Sequence, residues 1–171
     1  LTEEKGVINL LRAWQAWGAD APELRLVGDG HLRTKLEQMA KGLPIRFLGQ
    51  LPAEQAQAEI ARARLQILPS ECYETFGLVI LEAFAQGTPA AVSDLGPLPS
   101  IVTHGKNGVV FQPANPQSLL QEVRTAWDTP GLLEAMGQSA RAEFETKYTE
   151  EANYTMLMNI YQQAIEVSRH G

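Results

Sequence analysis

The chain has 171 residues, of which 44% are hydrophobic and 20% charged, and this composition is typical of a globular domain and excludes a disordered tail. Twenty acidic and fourteen basic residues give a net charge of −6, which argues against nucleic acid as a partner. The single cysteine, Cys72, excludes an intramolecular disulfide framework. No apolar run approaches the ~20 residues of a membrane-spanning helix. Because no signal peptide opens the chain, we expect a cytoplasmic protein, at most peripheral to the inner face of a membrane.

Short apolar runs alternate with segments of helical periodicity. Apolar residues at helical spacing predict a first helix over residues 7–17. Apolar runs that end at glycine, proline or a polar turn predict five strands, at 24–27, 45–48, 65–68, 90–92 and 109–111. Further helices are predicted at 32–41, 53–64, 77–86, 117–127, 131–145 and 150–168, and a loop rich in glycine and proline at 94–100.

This alternation predicts an α/β fold with a Rossmann-like, doubly wound parallel sheet, because helical crossovers between parallel strands cover both faces of the sheet. Ligands of such folds bind beyond the C-terminal ends of the strands. The relevant loops are therefore 1–6, 28–31, 49–52, 69–76 and 93–100. A lobe of this kind normally begins with a strand, whereas this chain opens with a loop and a helix. We therefore expect the natural protein to continue upstream of Leu1.

The segment from Pro69 to Pro89 contains the strongest functional signal. A strand ends at Pro69, and a loop leads into a helix whose N-terminal N–H groups and dipole favour an anion. Glu82 lies in this helix among apolar neighbours; it either binds a pair of sugar hydroxyls through its two oxygens or lies on the solvent-exposed stripe. Glu74 precedes the helix, where it either accepts hydroxyl hydrogen bonds or complements the helix dipole.

These two glutamates carry a family resemblance. Separated by seven residues and flanked by Phe76-Gly77, Gly87 and Thr88-Pro89, they resemble the E-x7-E region of retaining glycosyltransferases of family 4, which have the GT-B fold. Other segments resemble further motifs of that family in the same order, namely Glu4-Lys5-Gly6, Val27-Gly28-Asp29-Gly30, Phe47-Leu48-Gly49, Ser93-Asp94-Leu95-Gly96 and Asn107-Gly108. The resemblance covers essentially the whole chain. It implies that residues 1–171 form the nucleotide-sugar-binding C-terminal domain of a GT-B enzyme, without the N-terminal acceptor-binding domain.

The resemblance also implies a role for each matching residue. Lys5 would pair with the donor diphosphate, Glu82 would hold the ribose hydroxyls, and Glu74 would act as the catalytic residue in contact with the transferred sugar. The other implied donor-binding positions act through the backbone: the N–H groups of one segment would face the sugar and phosphates, and two glycines would form a turn near the nucleoside. These positions are Phe76, Gly77, Leu78 and Val79, and Gly28 and Gly30.

The implied reaction is transfer of a sugar from a UDP- or GDP-sugar to a glycan or lipid-linked acceptor held by the N-terminal domain. No D-x-D motif occurs and the histidines are scattered, so we expect neither a metal nor another cofactor. Two departures from the family pattern, Pro97 in place of a second glycine and Ser100 in place of an acid, keep open a catalytically silent lobe that binds a nucleotide sugar or another partner. An NAD-dependent dehydrogenase fits poorly, because Arg33 replaces the third glycine of the dinucleotide fingerprint.

Overall fold

The computed structural model describes the backbone of residues 1–170 and the side chains of residues 1–167. Its strands are β1 (Leu24–Val27), β2 (Ile45–Gly49), β3 (Gln66–Leu68), β4 (Ala90–Ser93) and β5 (Gly108–Phe111). Its helices are α1 (Val7–Trp17), α2 (Arg33–Met39), α3 (Ala53–Arg62), α4 (Leu78–Ala85), α5 (Leu98–Ile101), α6 (Pro116–Asp128), α7 (Leu132–Lys147) and α8 (Glu150–His170). A single 3-10 turn, Glu3–Lys5, precedes α1.

The strands pair in parallel throughout the described part of the chain. β1 pairs with β2, and β3, β4 and β5 pair in that order. The predicted α/β class with parallel strands and helical crossovers is confirmed. The structure adds one detail that the sequence did not indicate: the hydrogen-bonded ladder is interrupted between β1 and β3, so that the strands form a two-stranded and a three-stranded sheet.

Two hydrophobic clusters cover the two faces of the strands. One contains α1, α2, α6 and the first half of α7, with Trp14 and Leu36 fully buried, and the other contains α4, α5 and the second half of α7, with Phe84 fully buried. Successive residues of β4 point to opposite clusters, Ala91 to the first and Val92 to the second, as the two-residue repeat of a strand requires. Burial on both faces explains why the strand sequences are continuous apolar runs.

One predicted loop is wrong. Within residues 94–100, the structure forms the short helix α5, which begins after Pro97 and carries Pro99 in its first turn. Proline is tolerated in the first turn because the N–H groups there have no partner within the helix. Prolines that read as loop residues in the sequence therefore start a helix.

The last helix, α8, leaves a row of large apolar side chains exposed while packing on α7. The most exposed members of this row are Tyr154, Ile160, Tyr161, Ile165 and Val167. Within the described residues, no helix combines the length and hydropathy needed to cross a membrane.

Candidate functional site

The N-terminal turn (residues 1–6) connects two loops at the C-terminal edge of the strands. The Leu1 backbone nitrogen donates to the carbonyl of Asp29, and the Leu1 carbonyl accepts from the Leu32 N–H at 3.3 Å. At its other end, the Glu4 carbonyl accepts from the Glu71 N–H at 2.7 Å. The turn therefore joins the loop after β1 to the β3–α4 loop (residues 69–77), which is where ligands bind in folds of this kind.

Gly6 lets α1 approach the β3–α4 loop closely. Its φ is +65°, and a Cβ at this position would lie 2.9 Å from the Pro69 carbonyl carbon and 3.2 Å from Glu71 Oε1. From the first turn of α1, Asn9 Nδ2 donates to the same Glu71 oxygen at 2.6 Å. Glycine is required at residue 6 both for the left-handed backbone and for this contact.

Lys5, Ser70 and Glu74 form a compact cluster in the space between the N-terminal turn and the loop. Lys5 Nζ lies 2.6 Å from Glu74 Oε1, and Ser70 Oγ donates to the same oxygen at 2.5 Å. The Glu74 side chain is 17% exposed and the Lys5 side chain 49%, while Ser70 is fully buried. The buried Ser70 hydroxyl holds the Glu74 carboxylate from the protein interior, whereas Lys5 remains accessible to a ligand.

The environment of Glu74 favours its ionised form. Burial by itself raises the pKa of Glu74, but hydrogen bonds from Lys5 and Ser70 and the Lys5 charge outweigh it, so the pKa lies below its usual value. An ionised carboxylate accepts hydroxyl hydrogen bonds and stabilises positive charge. It has no proton to donate as a general acid at neutral pH.

The N-terminus of α4 comes directly after the β3–α4 loop. Gly77 precedes the helix with φ +75°, and this end has neither a side-chain cap nor an acidic residue in its first turn. The first backbone N–H groups of a helix have no partner within it, and they carry the positive end of the dipole. Phe76 and Leu78 are exposed on either side of Gly77, and Val79 is half-buried. The segment predicted to face sugar and phosphates therefore presents an open, electropositive helix end.

Glu82 lies apart from this cluster, on the exposed face of α4 that also carries Leu78 one turn earlier. Within the described residues, its carboxylate makes no hydrogen bond or ion pair. It lines a shallow groove of about 210 Å³ together with Gln57, Leu81 and Phe144. The structure thus places Glu82 on the solvent-exposed stripe, with both oxygens free to accept hydroxyls.

The two glycines predicted near the nucleoside shape the loop after β1. Gly28 has φ +115° and donates its N–H to the Gly49 carbonyl at 2.7 Å, which ties this loop to the end of β2. Gly30 packs against the backbone of Leu1, and a Cβ there would overlap it. Gly30 thus borders the N-terminal turn, while Gly28 ties the loop to β2.

Sequence reasoning missed three contributors to the site. Ser70 and Asn9 carry no signal of their own, because their bonds to Glu74 and Glu71 depend on the fold. Tyr73, 79% exposed, lays its ring against Gly96, where a Cβ would lie 3.0 Å from Tyr Cδ1. This contact brings the β3–α4 loop to the loop after β4.

The two departures from the family pattern contact each other. Ser100 Oγ donates to the Pro97 carbonyl at 2.6 Å, a bond within the first turn of α5.

Within residues 1–167, where side chains are described, no three His, Cys, Asp or Glu side chains come together in a way that could hold a metal ion. His31 pairs with Glu3 at 2.8 Å, both largely exposed, and His104 lies 3.7 Å from Glu122. The His170 side chain lies outside the described residues. Metal independence stays a prediction.

Comparison with known proteins gives a consistent result. The family model described as "Glycosyl transferases group 1" matches residues 1–143. An uncharacterized glycosyltransferase of Methanocaldococcus jannaschii is 32% identical across 98% of this chain and 44% of its own length. A GDP-mannose-dependent alpha-(1-6)-phosphatidylinositol dimannoside mannosyltransferase of Mycobacterium tuberculosis is 36% identical across 81% of this chain and 36% of its own. The chain thus spans less than half the length of these curated relatives.

Solved structures share the fold. Sucrose-phosphate synthase from Thermosynechococcus elongatus aligns over 97% of this chain and 44% of its own, with a TM-score of 0.82 and 24% identity. HepE of Anabaena, crystallised with UDP-glucose, aligns over 100% of this chain and 47% of its own, with a TM-score of 0.78 and 25% identity.

Proposed function

The chain belongs to the glycosyl transferases group 1 family, and on this premise we propose that it is the C-terminal, donor-binding domain of a retaining, metal-independent GT-B enzyme. The donor is a nucleoside-diphosphate sugar, and the acceptor is a glycan or a lipid-linked sugar bound by an N-terminal domain. The cluster of Lys5, Ser70 and Glu74 beside the uncapped start of α4 is the observation that carries this proposal.

Each part of the donor has a matching feature. The diphosphate is an anion, so it suits the Lys5 ammonium and the free N–H groups of Gly77, Leu78 and Val79. Glu74 accepts hydrogen bonds from the sugar, and Glu82 accepts them from the two ribose hydroxyls. UDP-glucose in the HepE crystal and GDP-mannose in the name of the mycobacterial relative support a nucleotide sugar as the donor class.

The proposed chemistry follows from the charges. The bond between the anomeric carbon and the leaving phosphate oxygen breaks, and its electron pair leaves with the diphosphate. Lys5 and the helix end stabilise that negative charge. The ionised Glu74 stabilises the positive charge that develops on the sugar. The acceptor oxygen then bonds to the anomeric carbon, and its proton passes to the departing diphosphate.

Ligand-observed NMR with UDP, GDP, ADP and NAD tests donor binding. Because half of a two-domain site would be absent, we expect an affinity of about 1 mM, near −4 kcal/mol. Glu82→Ala should abolish binding of the preferred nucleoside diphosphate, while Glu54→Ala, which removes an exposed helical glutamate from α3, should leave it unchanged. Equal binding by all three proteins would contradict the assignment of Glu82.

If the domain is instead catalytically silent, a sugar-transfer assay should give a different result. If Pro97 and Ser100 have closed the sugar subsite, the polypeptide that contains both domains binds the nucleoside diphosphate but transfers no sugar. Transfer that is lost in Glu74→Gln while nucleotide binding persists supports the enzyme.

A further inference from the structure

The ring of Tyr73 joins the β3–α4 loop to the loop after β4. A Cβ built at Gly96 would lie 3.0 Å from Tyr73 Cδ1, 3.7 Å from Cε1 and 3.8 Å from Cγ, so one edge of the ring packs on the Gly96 backbone. Most of the ring nevertheless remains open, since Tyr73 is 79% exposed. The contact thus holds an aromatic ring in place while leaving most of its surface free.

The turn that supports this ring is stiff. Gly96 has φ +58°, a left-handed conformation that favours glycine. Pro97 follows with φ −77°, which its own ring fixes. Ser100 Oγ donates to the Pro97 carbonyl at 2.6 Å. Pro97 and Ser100 are the two departures from the family pattern, so both departures stiffen the support of Tyr73.

The helix α5 connects this support to the start of α4. A Cβ at Gly77 would lie 2.8 Å from Leu98 Cδ2, and Leu98 is fully buried. At the other end of α5, the Ile101 carbonyl accepts from the buried Asn107 amide at 3.2 Å. One anchored helix therefore sets the position of the turn under Tyr73 and also contacts the residue that precedes α4.

Tyr73 and Lys5 contact the β3–α4 loop from different neighbours. Lys5 bonds to Glu74 from the N-terminal turn, whereas Tyr73 packs on the loop after β4, the strand paired with β3. The diphosphate of the proposed donor is matched by Lys5 and the N–H groups at the start of α4. The side of Glu74 toward the loop after β4, where the ring lies, is left for the uncharged sugar.

On the basis of the donor-binding function proposed above, we propose that Tyr73 is a specificity-determining residue whose ring stacks on the transferred sugar. A pyranose carries hydroxyls around its edge and C–H groups on its faces. Glu74 accepts hydrogen bonds from the edge, and the exposed ring of Tyr73 covers one face through dispersion and burial of apolar surface. Pro97 and Ser100 then shape the sugar subsite by holding the ring at a fixed position.

NMR titrations of the chain with UDP and UDP-glucose, and with GDP and GDP-mannose, test this proposal. In the pair that binds, Tyr73→Ala should raise the Kd of the nucleotide sugar about tenfold, because covering roughly 50–60 Å² of apolar surface changes a binding constant by that factor. The Kd of the parent nucleoside diphosphate should not change. Saturation transfer from aromatic protons to the C–H protons of the sugar should be lost in the same variant.

Two variants and one control separate stacking from a general effect on the fold. Tyr73→Phe keeps the ring and should retain the wild-type affinity for the nucleotide sugar. Gly96→Ala keeps the ring but displaces it, since the new Cβ would lie 3.0 Å from Tyr73 Cδ1, and it should weaken the nucleotide sugar alone. Tyr154→Ala removes another exposed tyrosine, from α8, and should change neither Kd.

Three results would overturn the assignment of Tyr73. If the nucleotides bind and Tyr73→Ala leaves both Kd values unchanged, the ring lies outside the sugar subsite, while the proposed function stands. If Tyr73→Ala weakens the nucleotide and the nucleotide sugar equally, the residue acts on the whole loop. If the unmodified chain binds neither UDP nor GDP, the proposed function fails together with the role of Tyr73.

Discussion

Gly6→Ala tests whether close contact between the N-terminal turn and the β3–α4 loop holds the candidate site together. Alanine in a left-handed conformation costs about 1–2 kcal/mol. The new Cβ would also overlap the Pro69 carbonyl oxygen and lie 2.9 Å from its carbon. Since non-bonded carbons approach to about 3.5–4.0 Å and the oxygen lies nearer still, the two backbones must separate by at least roughly 1 Å. Lys5 and Glu74 lie on opposite sides of this junction, and a shift of that size costs up to ~100-fold in rate.

Gly42→Ala provides the matched control. Gly42 has φ +81°, and a Cβ there would meet nothing within 4 Å, so this variant carries the backbone strain without the overlap. Urea unfolding should give a loss of about 1–2 kcal/mol for Gly42→Ala and a larger loss for Gly6→Ala. In the two-domain enzyme proposed above, kcat/KM for sugar transfer should fall by up to ~100-fold for Gly6→Ala alone. Equal stability losses and equal activities would refute the argument.

Two further predictions concern buried hydrogen bonds. Ser70→Ala removes the hydroxyl that fixes Glu74, so kcat should fall about tenfold, as expected for ~1.5 kcal/mol. The acidic limb of the pH–rate profile should move to higher pH, because one of the hydrogen bonds that lower the pKa of Glu74 is lost. Ser139→Ala, which removes a hydroxyl that donates to the Ala135 carbonyl within α7, is the control, and an unshifted profile for Ser70→Ala would count against the role of Ser70. Glu143→Ala removes one of the two acceptors of the buried Asn107 amide, at 3.2 Å, and leaves only the Ile101 carbonyl, which should cost about 1–3 kcal/mol of unfolding free energy. Chiefly because Lys147 donates to Glu143, the pKa of that carboxyl lies below its ordinary 4.5. Its contribution is therefore present above pH 4.5 and is lost as pH falls through the lowered folded-state pKa. A wild-type advantage over Glu143→Ala that stays constant across this range would contradict the assignment.

Much of the fold is readable from the sequence where a local pattern and the tertiary environment agree. The predicted bounds of α1 at 7–17 and of β1 at 24–27 coincide with the structure, because apolar spacing reports directly which face is buried. The end of α3 was predicted two residues too late. Ala63 is a good helix former, yet its ψ of 142° turns the chain into the approach to β3.

Only part of the candidate site could be predicted from the sequence. The order of the motifs predicts Lys5, Glu74 and Glu82 as site residues, but the contact between Lys5 and Glu74 joins residues 69 positions apart. The interruption between β1 and β3 could not be predicted from local patterns, since every described strand shows the same apolar signal. Likewise, Ser70 and Tyr73 act through loop geometry that composition does not encode.

Amide chemical-shift mapping of the nucleoside-diphosphate sugar is the most direct test of the proposed donor site. The preferred UDP- or GDP-sugar is titrated into isotopically labelled protein while the backbone amide signals are followed. Our account predicts that the largest shifts occur at Lys5 and at Gly77, Leu78 and Val79, where the lysine and the open helix end face the diphosphate. Shifts confined to other surfaces, with these four amides unmoved at saturation, would contradict it.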